Sequence, residues 1–315
     1  MKHYWTWPIA CYLFLGGLGG GMLFLAGVFH LILGFAGAPL TLGVIVGIVA
    51  LGFGCMLLVF ELGQPKVFLR VFTSATAIIK WGAIILSVAM IAALLYVIFY
   101  LPAEWNLPWM SWGIAGIADP MLAIAMVLGL CVCIYTGVLL SSLKAKPFWN
   151  TPALPVLFTV SAISTASALH SLLVGAWPCP LTLGNAISGI EQHELLHSLD
   201  LVLVIVEIIT LLLYVVLMYA SSNVTAKAVA RRWLSGKTAG LFWGGMIAGG
   251  LVIPFLFYLT GGIAATVIAP VLVLLGGLLL RFLVIFADDR RHIPGEDQFY
   301  ARLPKGDEKF LHTWQ

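Results

Sequence analysis

A small set of residues in this 315-residue chain combines a reactive side chain with a place inside a hydrophobic run: Tyr12, Glu61, Lys80, Tyr135, Asp200, Glu207 and Arg281. An ionisable group at mid-membrane costs about 3 kcal/mol on insertion scales unless it finds a partner, so each is a candidate for function. Asp200 and Glu207 stand seven residues apart. On a helix that spacing puts both carboxyls on one face, about 10 Å apart. With Arg281 in the last run they compose a candidate proton path, entered from His193 and His197; mutual pairing that locks the helices together is the structural alternative. His30, His170 and His197 form a third group at a similar depth, the arrangement that bis-histidine ligation of a b-type haem requires.

The elements that position these residues follow from composition. Hydrophobic residues make up 62% of the chain and charged residues 9%, against about 45–50% and 25% in soluble domains. A water-soluble fold of this size cannot hide that much apolar surface. Runs long enough to cross a bilayer fall at about 7–34, 41–62, 76–101, 120–143, 151–177, 194–220, 239–262 and 264–286. Helix breakers separate them, including Gly63-Gln-Pro65, Lys146-Pro147, Pro178-Cys-Pro180 and Gly261-Gly262. The last of these is the weakest break, because the loop there is only a few residues. The first run has no small-residue cleavage site and reads as a retained span.

Eight spans put both termini on one side, here called side A. Every lysine and arginine except Arg281 falls on side A, while the side-B loops carry Glu104, Asp119 and Glu191. By the positive-inside rule side A is cytoplasmic, which places the chain in the cytoplasmic (inner) membrane with both termini inside. The side-B loop 102–119 holds Trp105, Trp109 and Trp112 and reads as an interfacial segment. The five cysteines form no C-x-x-C or C-x-x-C-H, so no iron–sulfur cluster or c-type haem is expected in this chain. Small residues mark two spans for close packing: Gly16-Gly-Leu-Gly-Gly-Gly21 on the first, and Ser161, Ala162, Ser164, Thr165, Ala166 and Ser167 on the fifth. Both spans open alike, Pro8-x-x-x-x-Leu13-Phe14 and Pro152-x-x-x-x-Leu157-Phe158. That similarity suggests two parallel four-helix halves.

Three stretches resemble the NrfD/polysulfide-reductase membrane subunit family. They are Trp7-Pro-Ile-Ala-Cys-Tyr-Leu-Phe-Leu15 with its glycine run, Glu61-Leu-Gly-Gln-Pro65, and Tyr135-Thr-Gly running through Lys146-Pro-Phe148 to Asn150-x-Pro-x-Leu-Pro-Val-Leu-Phe158. The resemblance covers most of the chain and implies an all-α integral membrane fold of eight transmembrane helices arranged as two four-helix bundles. Residues 1–150 are then the first bundle with the quinone site, 151–288 the second, and 289–315 a polar tail. It implies a quinone (menaquinone or ubiquinone) as the redox ligand and no haem in this chain. The implied partners are a ferredoxin-like four-cluster iron–sulfur subunit, a catalytic molybdopterin subunit reached through it, and the lipid bilayer, with no nucleic acid.

Residue by residue, the family's quinone-contacting tyrosine on span 4 falls on Tyr135, its acidic residue at the end of span 2 on Glu61, and its late arginine on Arg281. Where the polysulfide-reductase subunit has asparagine and histidine on span 1, this chain has Ile9 and Tyr12. Other members resemble this one in carrying Trp-x-Trp-Pro-Ile-Ala-x-Tyr there, which makes Tyr12 the substitute. The residues agree on their own terms: Tyr12, Glu61, Lys80 and Tyr135 all lie near side A, where tyrosine hydroxyls can donate to quinone carbonyls and Glu61 can exchange a proton. Many relatives dock a periplasmic arm on the quinone side, whereas the charge count makes that side cytoplasmic here. The expectation is therefore a cytoplasmic-facing iron–sulfur partner; a periplasmic partner would make the basic residues a docking surface for an acidic protein. Two other functions compete: a haem b subunit using the side-B histidines, and a proton-translocating module that depends on Asp200 and Glu207 without quinone.

Overall fold

The computed structural model describes residues 7–35, 37–61, 78–104, 115–176, 189–287 and 289, with backbone alone at 38, 61, 101–104, 115, 176 and 189–192. The described residues are mostly helical, joined by turns and without a strand, and eight helices are long and apolar enough to cross a membrane. The chain is a multi-pass membrane protein.

Helix α1 (Trp7–Gly27) runs into a wider π turn at Val28–Ile32, followed by α2 (Ala38–Glu61), α3 (Ile78–Glu104), α4 (Ala115–Ser141), α5 (Ala153–Ala176) and α6 (Gly189–Ala220). A short helix, α7 (Val224–Ser235), precedes the seventh span. That span joins a π-helical stretch, Leu241–Val252, to α8 (Ile253–Thr260), and the eighth joins Ala264–Ile268 to α9 (Ala269–Ile285). Both wide stretches stop at a proline in the first turn of the next helix, Pro254 and Pro270. Proline lacks the N–H that the i−4 carbonyl would accept and crowds that carbonyl, and the wider turn absorbs the missing bond. Between the two spans Gly261 and Gly262 take φ of 73° and 72°, a left-handed pair that glycine adopts without strain, so the short turn does separate them.

Spans 1 and 5, the two rich in small residues, are the most buried, at 72% and 61%. The glycines of α1 serve three neighbours. A methyl at Gly19 would meet the Gly47 carbonyl of α2 at 2.7 Å, one at Gly20 the Gly129 carbonyl of α4 at 2.7 Å, and one at Gly21 the Ala162 carbonyl of α5 at 2.7 Å. Backbones this close gain dispersion contact that larger side chains would forbid. Gly250 and Gly276 bring spans 7 and 8 together in the same way.

The turn between α4 and α5 is held by buried rings. Phe148 and Trp149 are fully buried, Trp149 Nε1 donates to the Val284 carbonyl at 2.8 Å, and the Tyr214 hydroxyl donates to the Phe148 carbonyl at 2.7 Å. Trp233 of α7 meets Phe148 edge-on at 5.0 Å. Much of the Lys146-Pro-Phe-Trp-Asn150 stretch is thus an anchor for the polypeptide turn.

Candidate functional site

Tyr12 lies one turn inside the side-A end of α1 and is buried, with its ring passing Gly54 of α2. Tyr135, near the corresponding end of α4, crosses the face of α3 at Gly82, where any side chain would occupy the volume of its phenol. The two tyrosines lie within electrostatic reach of each other, and Cys55 of α2 adjoins Tyr12. Four helices therefore converge on one pair of phenols. Neither hydroxyl hydrogen-bonds to another described residue. Lys80 is half-buried on α3 but makes no ion pair, hydrogen bond or cation–π contact with either tyrosine. Glu61 is the last residue of α2, and its side chain lies outside the described residues, as do Lys66, Arg70 and the tryptophans at 105, 109 and 112. Gly82 and Cys55 did not stand out in the sequence. A lone glycine within an apolar helix, costing about 1 kcal/mol against alanine, was the available sign.

A second polar group runs through the interior between α5, α6 and the last two spans. Arg281 is buried, donating from Nη1 to Ser161 Oγ at 2.6 Å and from Nη2 to the Phe158 carbonyl at 3.1 Å, with its guanidinium 4.6 Å from the Phe158 ring centroid. The bare backbone of α1 makes its room: a methyl at Gly17 would stand 3.3 Å from Nη2. Glu207 lies within electrostatic reach of Arg281 with Ser161 and Ser164 about it, and Asp200 faces Ser167, Ser171 and Tyr258. Among the described residues none of the four carboxylate oxygens finds a hydrogen-bond partner, and the hydroxyls of Ser164, Ser167 and Tyr258 are equally unpartnered. Buried polar atoms left unsatisfied cost about 1–3 kcal/mol each, more when charged.

The column opens towards side B. The His197 ring meets Tyr258 edge-on at 5.6 Å. Beside it a cleft of about 330 Å³ is lined by His193, Glu194, His197, Ser198, Gly261, Gly262, Ala265 and Thr266. The structure thus brings Glu207 to Arg281 with Ser161 and Ser164, and sets Asp200, two turns along the same helix, among Ser167, Ser171 and Tyr258. The serine spacings of three, three and four trace one helical face, a signal that packing by small residues had masked.

The remaining histidines have their own neighbours. His30 Nδ1 pairs with the Phe35 carbonyl at 2.8 Å, its Nε2 lies 3.3 Å from Asp119, and its ring stands edge-on to Tyr100 at 5.2 Å. His170 is buried, with Nε2 3.3 Å from the Met22 carbonyl and its ring over Gly43. No group of three or more histidine, cysteine, aspartate or glutamate side chains gathers among the described residues.

Residues 1–289 match the family described as Polysulphide reductase, NrfD. The sequence is 31% identical over 306 residues to the C subunit of polysulfide reductase from Wolinella succinogenes, covering 90% of this protein and 93% of that one. It is 30% identical over 312 residues to Protein NrfD of Escherichia coli, with 90% and 94% covered. To the Protein NrfD homolog of Haemophilus influenzae it is 24% identical over 307 residues. With all eight spans and both polar groups inside the matched region, the chain belongs to the NrfD polysulphide reductase family.

Proposed function

We propose that this chain is the quinone-reactive membrane subunit of an oxidoreductase complex, exchanging electrons between quinone or quinol and an iron–sulfur partner subunit. The observation that supports it best is the convergence of Tyr12 and Tyr135 from two helices, with Gly82 clearing the space for the second phenol. A bound quinone supplies two carbonyl oxygens and the redox couple. Tyr12 and Tyr135 donate their free O–H groups to those oxygens, fixing the headgroup while excluding water from the buried end of the site. Glu61, one helix away, exchanges a proton at its carboxyl, and Lys80 provides a further N–H donor. In this reading the complex adds a ferredoxin-like iron–sulfur subunit and, through it, a molybdopterin subunit.

Proton transfer is the second part of the reading, supported by the unpartnered carboxyls of Asp200 and Glu207 aligned with serine hydroxyls between the His197 cleft and Arg281. Asp200 takes a proton arriving past His197 and Tyr258. Glu207, held by the adjacent Arg281, carries it towards side A.

The test is quinol oxidation, and quinone reduction, by the complex purified through this chain with Tyr135→Phe or Glu61→Gln. Loss of turnover in an assembled complex supports the reading. Full turnover in both variants, or a b-type haem spectrum in the subunit alone, overturns it and moves the redox centre to the side-B histidines.

A further inference from the structure

Tyr219 ends a strip on the outside of α6 that is apolar and open: Ile209 is 58% exposed, Leu212 43%, Val216 61% and Tyr219 itself 43%. In a chain with eight membrane spans such a strip faces lipid tails, and Tyr219 stands at its side-A margin, where tyrosine rings settle at the headgroup level. Trp243 is 46% exposed, its Nε1 donating to the Leu234 carbonyl at 3.0 Å, and adds a second interfacial ring on the same side.

Over Tyr219 the structure places two cations. Lys227 Nζ lies 5.7 Å from the ring centroid and Arg231 Cζ 6.0 Å. They are one turn apart on α7, whose opposite face, Ala226, Val229, Ala230 and Trp233, is buried and fixes its rotation. Like charges at this spacing repel and weaken the helix that carries them. One ring rewards one cation; the second brings repulsion without equal return. No acidic side chain among the described residues pairs with either, and the next arginine, Arg232, is already committed to Asp289. An anion seated between them turns the repulsion into two charge-assisted contacts.

We infer that Tyr219, Lys227 and Arg231 bind the phosphodiester headgroup of an anionic phospholipid, with its acyl chains along the Ile209–Leu212–Val216 strip. The strip is what favours a lipid over an acidic protein: a headgroup bound here keeps its tails in apolar contact, and cationic side chains beside a membrane surface attract anionic headgroups. The inference does not depend on the quinone site.

The experiment compares the purified complex with its Lys227→Gln/Arg231→Gln variant in nanodiscs of phosphatidylcholine alone and of phosphatidylcholine mixed with phosphatidylglycerol. Lipid retained through native mass spectrometry and the thermal midpoint are read together. The wild type is expected to retain phosphatidylglycerol preferentially and to gain thermal stability from it. The double variant loses that preference by about fivefold per charge removed, Lys227→Arg keeps it, and Lys144→Gln, an exposed lysine in the α4–α5 turn, leaves it unchanged. Equal midpoints in pure phosphatidylcholine show that the variant folds; if it does not fold, Tyr219→Leu, which keeps both charges, is expected to lower retention instead. Equal retention in wild type and variants overturns the proposal. So does full competition by inorganic phosphate, which would mark an anion site blind to lipid, and so does weaker capture of a partner subunit with lipid retention intact.

Discussion

At the scale of single residues, the tyrosine pair is set by what is missing as much as by what is present. Gly82 exists as a gap that the Tyr135 phenol fills, so Gly82→Ala is expected to act on Tyr135 rather than on α3. Quinol turnover should fall by about threefold to tenfold in Gly82→Ala and in Tyr135→Phe alike, the range one lost hydrogen bond gives, and a combined variant should fall no further. Additive losses in steady-state kinetics would show that the two residues act separately. In the interior column, Asp200→Asn and Glu207→Gln keep shape and remove only the exchangeable proton. Both are expected to preserve quinol oxidation while abolishing acidification measured with a pH dye in proteoliposomes; unaltered proton movement would leave the carboxyls as structural groups. Tyr12, Tyr135, Asp200, Glu207 and Arg281 were legible in the sequence because polar side chains are rare inside apolar runs. Gly82 and the serines were not, since small residues carry the same letters whether they pack a helix or line a polar path.

At the scale of elements, the glycine run of α1 works as a three-sided contact. Gly20→Leu pushes a side chain into the Gly129 carbonyl and Val132. Overpacking of this kind costs about 1–3 kcal/mol, so the detergent-solubilised midpoint is expected to drop by several degrees; Gly244→Leu, where a methyl would meet open space, should leave it in place. Helix α7 leaves only a quiet signal in the sequence. Asn223 caps it by accepting from the N–H groups of Thr225 and Ala226, and Ala226, Val229, Ala230 and Trp233 recur at helical spacing. The long spans are marked by extreme hydropathy, whereas a short amphipathic helix shows only in its periodicity.

At the scale of the whole molecule, the charge asymmetry is a claim about sidedness. Lys237 is exposed beyond α7 on side A, and Ile263 is 78% exposed in the turn between spans 7 and 8 on side B. In intact cells a membrane-impermeant maleimide is expected to label Ile263→Cys and to leave Lys237→Cys untouched against the native-cysteine background; the reverse pattern would put the basic face outside. The division into two four-helix bundles at residue 150 belongs to the proposal, with α1 packed on α2, α4 and α5 and reaching α9 across the middle. The sequence by itself determined the number of spans and their boundaries to within a few residues, because hydropathy acts one segment at a time and needs no partner. Only the tertiary structure decided that Tyr12 comes within electrostatic reach of Tyr135, that Asp200 and Glu207 turn towards the serines of α5 and that Arg281 rests against Gly17. Those contacts join helices far apart in the chain, and the rotation of each helix against its neighbours is fixed by packing that a span's own composition does not encode.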